Sequence, residues 1–322
     1  MRVAVLSGGR SSEHQVSLRS GASVVDGLRA AGHDVIPVLL ERDGRWTVEG
    51  KEVELRAGGG LLDAEVAFPA LHGPFGEDGT VQGLLECLDL PYVGPGVLAA
   101  AVAIDKLTFK RVLAFHDIPQ VAFCEAGEDG WRDRTAAMGP PLWVKPARLG
   151  SSVGISRVAS IEGELDEAVE LARRHDPRVI VEAHGDGKEV ECSVLGNEAP
   201  RTSPPGEIVA HADWYDYEAK YSDGGMDLIV PARIGEATAA RVRELAARAF
   251  RAIDGSGLAR CDFFVRDSGE VLVNELNTIP GFTATSVFAK LFEADGLDYP
   301  ELCDRLVRLG VERYEKQRAF EF

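Results

Sequence analysis

No two cysteines in this sequence stand in CxxC spacing. Cys87, Cys124, Cys192, Cys261 and Cys303 are scattered and odd in number. That argues against a disulfide framework or a cysteine zinc site and fits buried, reduced thiols in a cytoplasmic protein. His14, His33, His116, His175, His184 and His211 show no paired ligand spacing. Long apolar runs are missing: "VLAAAVAI" at 97–104 stops at Asp105, well short of the ~20 residues of a bilayer span. The opening "MRVAVLSGG" is too short in apolar residues for a secretory leader. Cations are scarce beside anions, 35 Lys and Arg against 52 Asp and Glu, for a formal net charge of -17. Such a surface repels phosphate backbones and anionic lipids, so neither nucleic acid nor a membrane is an expected partner. An anionic small ligand would need a locally basic site. The Walker spacing, GxGxxG, internal repeats and low-complexity tracts are absent too, so neither a P-loop NTPase nor a standard dinucleotide fold is indicated.

What is present reads as a globular protein: 45% hydrophobic and 27% charged residues over 322 positions, enough for two or three packed units. The first 95 residues alternate strand and helix patterns. "RVAVLSGG", "VIPVLL" and "VAFPALHG" read as strands, and 16–31 and "TVQGLLECL" as helices. The alternation predicts a parallel sheet with helices on its faces. Ligands gather at the carboxyl ends of such strands, where Gly8, Gly9, His72 and Gly73 would lie. A second unit, 96–187, holds helices near 106–115 and 160–174 and strands at "PLWVKPA", "GISRV" and "RVIVEAH". A third, 188–322, holds "KEVECSVLG", "EIVA", a helix at about 236–253, a hairpin and two closing helices. Residues 200–221 carry three prolines but many aromatics, which predicts an ordered functional loop. Trp46, Trp131, Trp143 and Trp214 read as packing residues.

Two stretches carry chemistry. In "ARCDFFVRDSGEVLVNELN", two β-type runs flank "DSG". A two-residue turn at Ser268-Gly269 would pair residues whose numbers sum to 537, setting Asp262 opposite Glu275 and Arg260 opposite Asn277. All four then share one face. Opposed carboxylates repel unless a cation lies between them, and oxygen-only ligands suit Mg²⁺ or Mn²⁺ rather than zinc. The simpler alternative is a solvated strand end with Arg260 neutralising Asp262. In "WVKPARLGSSVGISRV", a buried strand delivers Lys145, and Gly150, Ser151, Ser152 and Gly154 follow. Small residues let backbone N–H groups approach phosphate oxygens, and hydroxyls add donors; a tight polar hairpin is the bland reading. Gly150 to Gly154 also matches G-x-S-x-G, but a nucleophile elbow needs a helix directly after the serine. "GISRV" is a strand pattern, which argues against a serine hydrolase.

Lysine, glycine loop and late acid–x–amide pair together resemble the ATP-grasp ligases. Within them, the chain is similar to the D-alanine–D-alanine ligase family through "GGRSSEHQVSLRSG", "LHGPFGEDGTVQG", "DKLTFK", "VKPARLGSSVG", "YDYEAKY", "RCDFFV" and "NELNTIPGFTATS", in that order. The resemblance implies an ATP-grasp fold, α/β and α+β in class, with an N-terminal parallel, Rossmann-like substrate-binding domain. It implies two D-alanine substrates, MgATP and two Mg²⁺ (or Mn²⁺) ions, and a cytoplasmic homodimer that makes a peptidoglycan precursor. Lys106 and Lys145, with Ser152 in the loop, would hold ATP. Glu182 would lie along the adenine, Glu189 would take the ribose, and Lys220 would reach the transferred phosphate. Asp262, Glu275 and Asn277 would be metal ligands. Glu13 would hold the first D-alanine's ammonium, linked through Ser151 to Tyr221, with His72 nearby. Arg260 and the Gly281 N–H would form the oxyanion site, and Ser286 would bind the second carboxylate. The loop 206–225 would close over ATP. An ATP-grasp ligase for another amino acid pair, or a nucleotide-binding protein that no longer catalyses, are the alternatives; the metal trio and Arg260 argue against the latter.

Overall fold

The computed structural model describes residues 1–150, 152–210 and 225–321. Ser151, Lys220 and Tyr221 therefore lie outside the described residues, as does most of the loop expected to close over ATP.

The chain opens with β1 (Arg2–Gly8), α1 (His14–Ala30) and β2 (Asp34–Leu40), then β3 (Trp46–Val48), β4 (Lys51–Glu52) and β5 (Val66–Pro69). These strands form one sheet in the order β4-β3-β2-β1-β5. β1 pairs in parallel with β2 and β5, as strand–helix alternation requires. The sheet is mixed rather than wholly parallel, because β3 returns antiparallel beside β2 and β4 beside β3. The short connections 41–45 and 49–50 allow only a hairpin, since parallel neighbours need a crossover of a dozen residues or more. The helix α2 (Thr80–Cys87) follows.

Next come α3 (Val97–Ile104), α4 (Lys106–Phe115), β6 (Phe123–Glu125), α5 (Trp131–Met138), β7 (Leu142–Pro146), β8 (Ser156–Val158), α6 (Ile161–Arg173) and β9 (Val179–Ala183). The strands form an antiparallel sheet, β6-β9-β7-β8. Asp105 caps α4, its side chain accepting from the Thr108 N–H, which sets the helix to begin at Lys106. α3 and α4 contribute Ala99, Ala103, Phe109 and Leu113 to the core beneath the third sheet, not the second.

The remainder is β10 (Lys188–Gly196), β11 (Arg201–Thr202), β12 (Gly206–Ala210), β13 (Met226–Ile229), α7 (Glu236–Ala252), β14 (Gly257–Val265), β15 (Val271–Asn277), α8 (Val287–Glu293) and α9 (Tyr299–Arg318). The main sheet runs β13-β12-β10-β14-β15, with β11 beside β10. Period-two alternation splits β10 cleanly: Val190, Cys192 and Val194 pack against Val242, Leu245, Ala246 and Phe250 of α7, leaving Glu189 and Glu191 on the opposite face. α9 folds back to the first sheet, so that Leu302, Leu306 and Val307 share a core with Val3, Val5 and Val24. Among the described residues, no helix is long and apolar enough to cross a membrane.

The β14–β15 hairpin differs from its expected turn. Arg266 donates to the Glu270 carbonyl and Gly269 to the Arg266 carbonyl, so three residues, 267–269, make the turn. Gly269, at φ +86°, takes the left-handed position such loops require. Near the turn Phe263 therefore faces Val273. A bulge at Asn274 then restores the expected pairing of Asp262 with Glu275 and Arg260 with Asn277. Without it, Glu275 would share the core-facing side of Val271 and Val273. The inserted residue turns Glu275 and Asn277 to the face that carries Asp262.

Candidate active site

Every predicted site residue among those described lines one cavity of about 840 Å³: Glu13, His72, Lys106, Lys145, Ser152, Glu182, Glu189, Arg260, Asp262, Glu275, Asn277, Gly281 and Ser286. Three sheets supply its walls.

The first wall comes from β7, β9 and α4. In β7, Leu142 and Val144 bury against Leu165 and Val169 of α6, so alternation turns Trp143 and Lys145 to the cavity. Trp143 is thus more than a packing residue; its Nε1 donates to Nδ1 of His184 at 3.1 Å. On β9, Glu182 is 2% exposed. Its two oxygens each meet an ammonium, Lys110 Nζ at 3.0 Å and Lys145 Nζ at 2.6 Å. Burial opposes the charge on Glu182, but the two lysines outweigh it and hold the carboxyl down at about 2. Burial also depresses the Lys110 ammonium against the pull of Glu182, whereas at Lys145 the pull of Glu182 prevails and raises it. Lys106 donates to the Leu149 carbonyl at 2.9 Å, tying the start of α4 to the glycine loop. That loop joins antiparallel β7 and β8. Ser152 sits at φ +58°, in the left-handed region that costs a non-glycine residue about 1–3 kcal/mol. The strand β8, not a helix, comes next, so no nucleophile elbow forms.

The second wall is the hairpin face. Arg260 grips Asp262 with Nε and an Nη, each at 2.7 Å, and its Nε lies 2.9 Å from Glu191 Oε2. Burial works against the guanidinium charge, yet Asp262 and Glu191 prevail and keep it firmly charged. Asn277 Nδ2 donates to Asp262 Oδ2 at 3.1 Å. The simple neutralisation of Asp262 by Arg260 is therefore present. Among the described residues, no group of three or more His, Cys, Asp and Glu gathers closely enough to hold a metal ion unaided. The donor set still fits a hard cation. It is oxygen-only, it lies on one face, and a carboxylate oxygen keeps a lone pair after accepting from arginine. Mg²⁺ takes few protein ligands and completes its shell with phosphate oxygens and water.

The third wall is the N-terminal unit with the turn after β15. A Cβ on Gly73 would stand 2.5 Å from Glu13 Oε2, so glycine is what lets the loop lie against that carboxylate. His72 is 5% exposed. Its Nδ1 lies 3.1 Å from the Ile279 carbonyl and its Nε2 2.8 Å from Ser20 Oγ. A carbonyl only accepts, so Nδ1 carries the proton and Nε2 accepts from Ser20. Burial brings the ring down to about 4, so it is neutral at pH 7. Ser20 Oγ also accepts from the Phe282 N–H at 3.4 Å. The Phe282 ring is 5.5 Å from each of Phe68, Phe288 and Tyr299. The Pro280-Gly281 turn is thereby fixed to the N-terminal core. Gly281 has open space where a Cβ would be, room that belongs to the cavity. Ser286 precedes α8, its Oγ donating to the Thr283 carbonyl at 2.8 Å.

Sequence reading missed four residues. Lys110 stands one helical turn after Lys106 and Glu191 two residues after Glu189, and both spacings could have flagged them. Ser20 carries no distinguishing signal. Glu77, in "FGED", accepts from the Gly73 N–H at 2.6 Å; burial, with the nearby Glu13 charge, pushes it up to about 8.

Comparison with known proteins agrees with this construction. A family model described as D-ala D-ala ligase N-terminus matches residues 2–60 and 51–95, and one described as D-ala D-ala ligase C-terminus matches 112–308. The D-alanine–D-alanine ligase of Deinococcus radiodurans is 49% identical over 97% of this chain and 98% of its own. That of Halothermothrix orenii is 42% identical, again over 97% and 98%. Among solved structures, the D-alanine-D-alanine ligase from Coxiella burnetii is similar with TM-score 0.89 and 36% identity, over 99% of this chain and 96% of that one. VanG D-Ala:D-Ser ligase from Enterococcus faecalis follows at 0.86 and 32%, over 96% and 99%. With both family models matched along most of its length and full-length relatives above 40% identity, the chain belongs to the D-alanine–D-alanine ligase family.

Proposed function

We propose that this protein joins two D-alanines through an acyl phosphate at the expense of ATP, supplying the dipeptide for peptidoglycan precursors. The observation that carries the reading is the convergence of a lysine-rich wall, an acid-rich hairpin and the Glu13–His72 end on one cavity. A carboxylate is inert toward amines, so its oxygen must first take the γ-phosphoryl group of ATP. The second amine then attacks the carbonyl carbon, and phosphate leaves with that oxygen.

Lys145 and Lys106 hold the polyphosphate at the first wall, with Ser152 and Glu189 completing the nucleotide site and Glu182 bordering it. Asp262, Glu275 and Asn277 hold Mg²⁺, two ions in our reading, whose contribution is to neutralise phosphate charge. Glu13 takes the ammonium of the first D-alanine beside His72, and Ser286 takes the second carboxylate. Arg260, firmly charged and rigidly forked, donates to the oxyanion together with the Gly281 N–H. Ser151, Lys220 and Tyr221 complete the site and its lid. Closure excludes water that would hydrolyse an acyl phosphate. Units 1–95, 96–187 and 188–322, a homodimer and a cytoplasmic location complete the proposal.

Phosphate release from MgATP, with mass analysis of products, tests it. Release should require D-alanine, fail with L-alanine or no amino acid, and match D-alanyl-D-alanine one to one. A dipeptide other than this one, for instance with D-serine in second place as the name of the VanG D-Ala:D-Ser ligase has it, would redirect the substrate assignment. ATP binding without turnover on any amino acid would replace the enzyme by a binding protein.

A further inference from the structure

Lys110 has no part in the reaction just described, although its side chain is 1% exposed and its amino group lies 3.0 Å from Glu182 Oε1. It sits on α4, one turn beyond Lys106, against the Phe123 ring at 5.8 Å. It does not line the cavity. Its neighbour across the wall is Glu182, which meets Lys110 with one oxygen and Lys145 with the other. With both lysines protonated and Glu182 ionised, the three groups sum to one positive charge. Lys145 and Glu182 line the cavity and Lys110 does not; of the three, Lys145 is the most open to it, with 15% of its side chain exposed against 1% for Lys110 and 3% for Glu182. The unbalanced charge is therefore presented at Lys145. Were Lys110 absent, the whole carboxylate charge would fall on Lys145, and the pair would be neutral. An incoming anion would then have to compete with a buried carboxylate 2.6 Å away. In a dry environment that competition is severe, because a buried carboxylate stripped of one partner clings to the other.

We propose that Lys110 is a positioning residue for nucleotide binding: by taking one oxygen of Glu182, it leaves the charge of Lys145 in excess and available to the ATP polyphosphate. The proposal rests on the reading of this cavity as an ATP site. It also explains why an ammonium is buried at such depth on a helix whose other inward residues, Leu107, Phe109 and Leu113, are apolar.

The test is a cycle of wild type, K110M, E182Q and K110M/E182Q. ATP affinity is measured by calorimetry, and KM for ATP and for D-alanine by phosphate release. K110M should weaken ATP binding about tenfold or more and leave KM for D-alanine within about twofold, a split that general loosening would not produce. In the E182Q background, the same substitution should change ATP affinity less than about twofold, because the carboxylate it counteracts is gone. K110M with wild-type ATP affinity would overturn the proposal. So would an equal loss in both backgrounds. Should K110M alone not fold, the comparison of K110M/E182Q with E182Q decides, since neither variant contains a buried carboxylate that could be stripped of a partner: folding restored by E182Q with unchanged affinity supports the proposal, and a tenfold loss overturns it. Wild-type protein that binds no ATP would sink the underlying functional reading, whereas ATP-binding wild type with an indifferent K110M would sink this inference alone.

Discussion

The two charged walls of the cavity are built on inverse plans. On the β7–β9 wall, one carboxylate, Glu182, is shared by two ammoniums. On the hairpin wall, one guanidinium, Arg260, is shared by two carboxylates, with Glu275 on the same face. The first is left positive and favours an anion; the second is left negative and favours a cation. A metal–polyphosphate complex carries both signs and fits between them. Neither wall owes its polarity to the net charge of -17. Each arises because alternation on a strand turns its apolar residues to a core and its charged ones to the same side.

Removing the centre of the hairpin wall should have the largest effect. In Arg260→Ala, turnover should fall about 10²–10³-fold, while ATP affinity, measured by calorimetry, falls far less. An equal loss of both would erase the distinction between the walls. A smaller effect belongs to the third wall, where His72 is held neutral. The folded-state value for His72, about 4, lies below its ordinary 6.5, so its neutral form is favoured on folding. That contribution is full above pH 6.5 and drains away as pH falls toward 4. Wild type should therefore lose about 2–3 kcal/mol more than His72→Asn across that window in urea unfolding. Parallel stability curves would mean that the ring is not held neutral. Glu275→Gln should shift the midpoint of Mg²⁺ activation upward about tenfold, and an unchanged metal titration would remove Glu275 from the cation-favouring wall. Smallest, Ser20→Ala should lower turnover about threefold with KM for ATP unchanged, as expected when one hydrogen bond holding the Gly281 turn is lost; a shift in KM for ATP instead would place that turn at the nucleotide wall.

The hairpin shows how much of this was legible in the sequence. The pairing of Asp262 with Glu275 was reached from a two-residue turn, whereas the chain uses three residues and a bulge at Asn274. The two offsets cancel. A bulge adds one residue without altering composition, so nothing in "VLVNELN" announces it; only the acid–x–amide pair, misplaced without it, hints that one is needed. The glycine loop and Lys145 could be read because strand alternation and small residues are local signals. Lys110 and Glu191 were missed because their burial depends on partners far along the chain, at Glu182 and Arg260. The return of α9 to the first sheet and the packing of α3 and α4 on the third are likewise long-range outcomes that segment-by-segment reading cannot assign.

The most direct test follows one oxygen atom. D-alanine labelled with ¹⁸O in its carboxylate is supplied with unlabelled MgATP, and the released phosphate is analysed by mass. If the carboxylate attacks the γ-phosphorus and the acyl phosphate then yields to the second amine, each phosphate formed with dipeptide carries one ¹⁸O from D-alanine. Unlabelled phosphate would mean that water, not the carboxylate, receives the phosphoryl group, and would contradict the ligase account of this cavity.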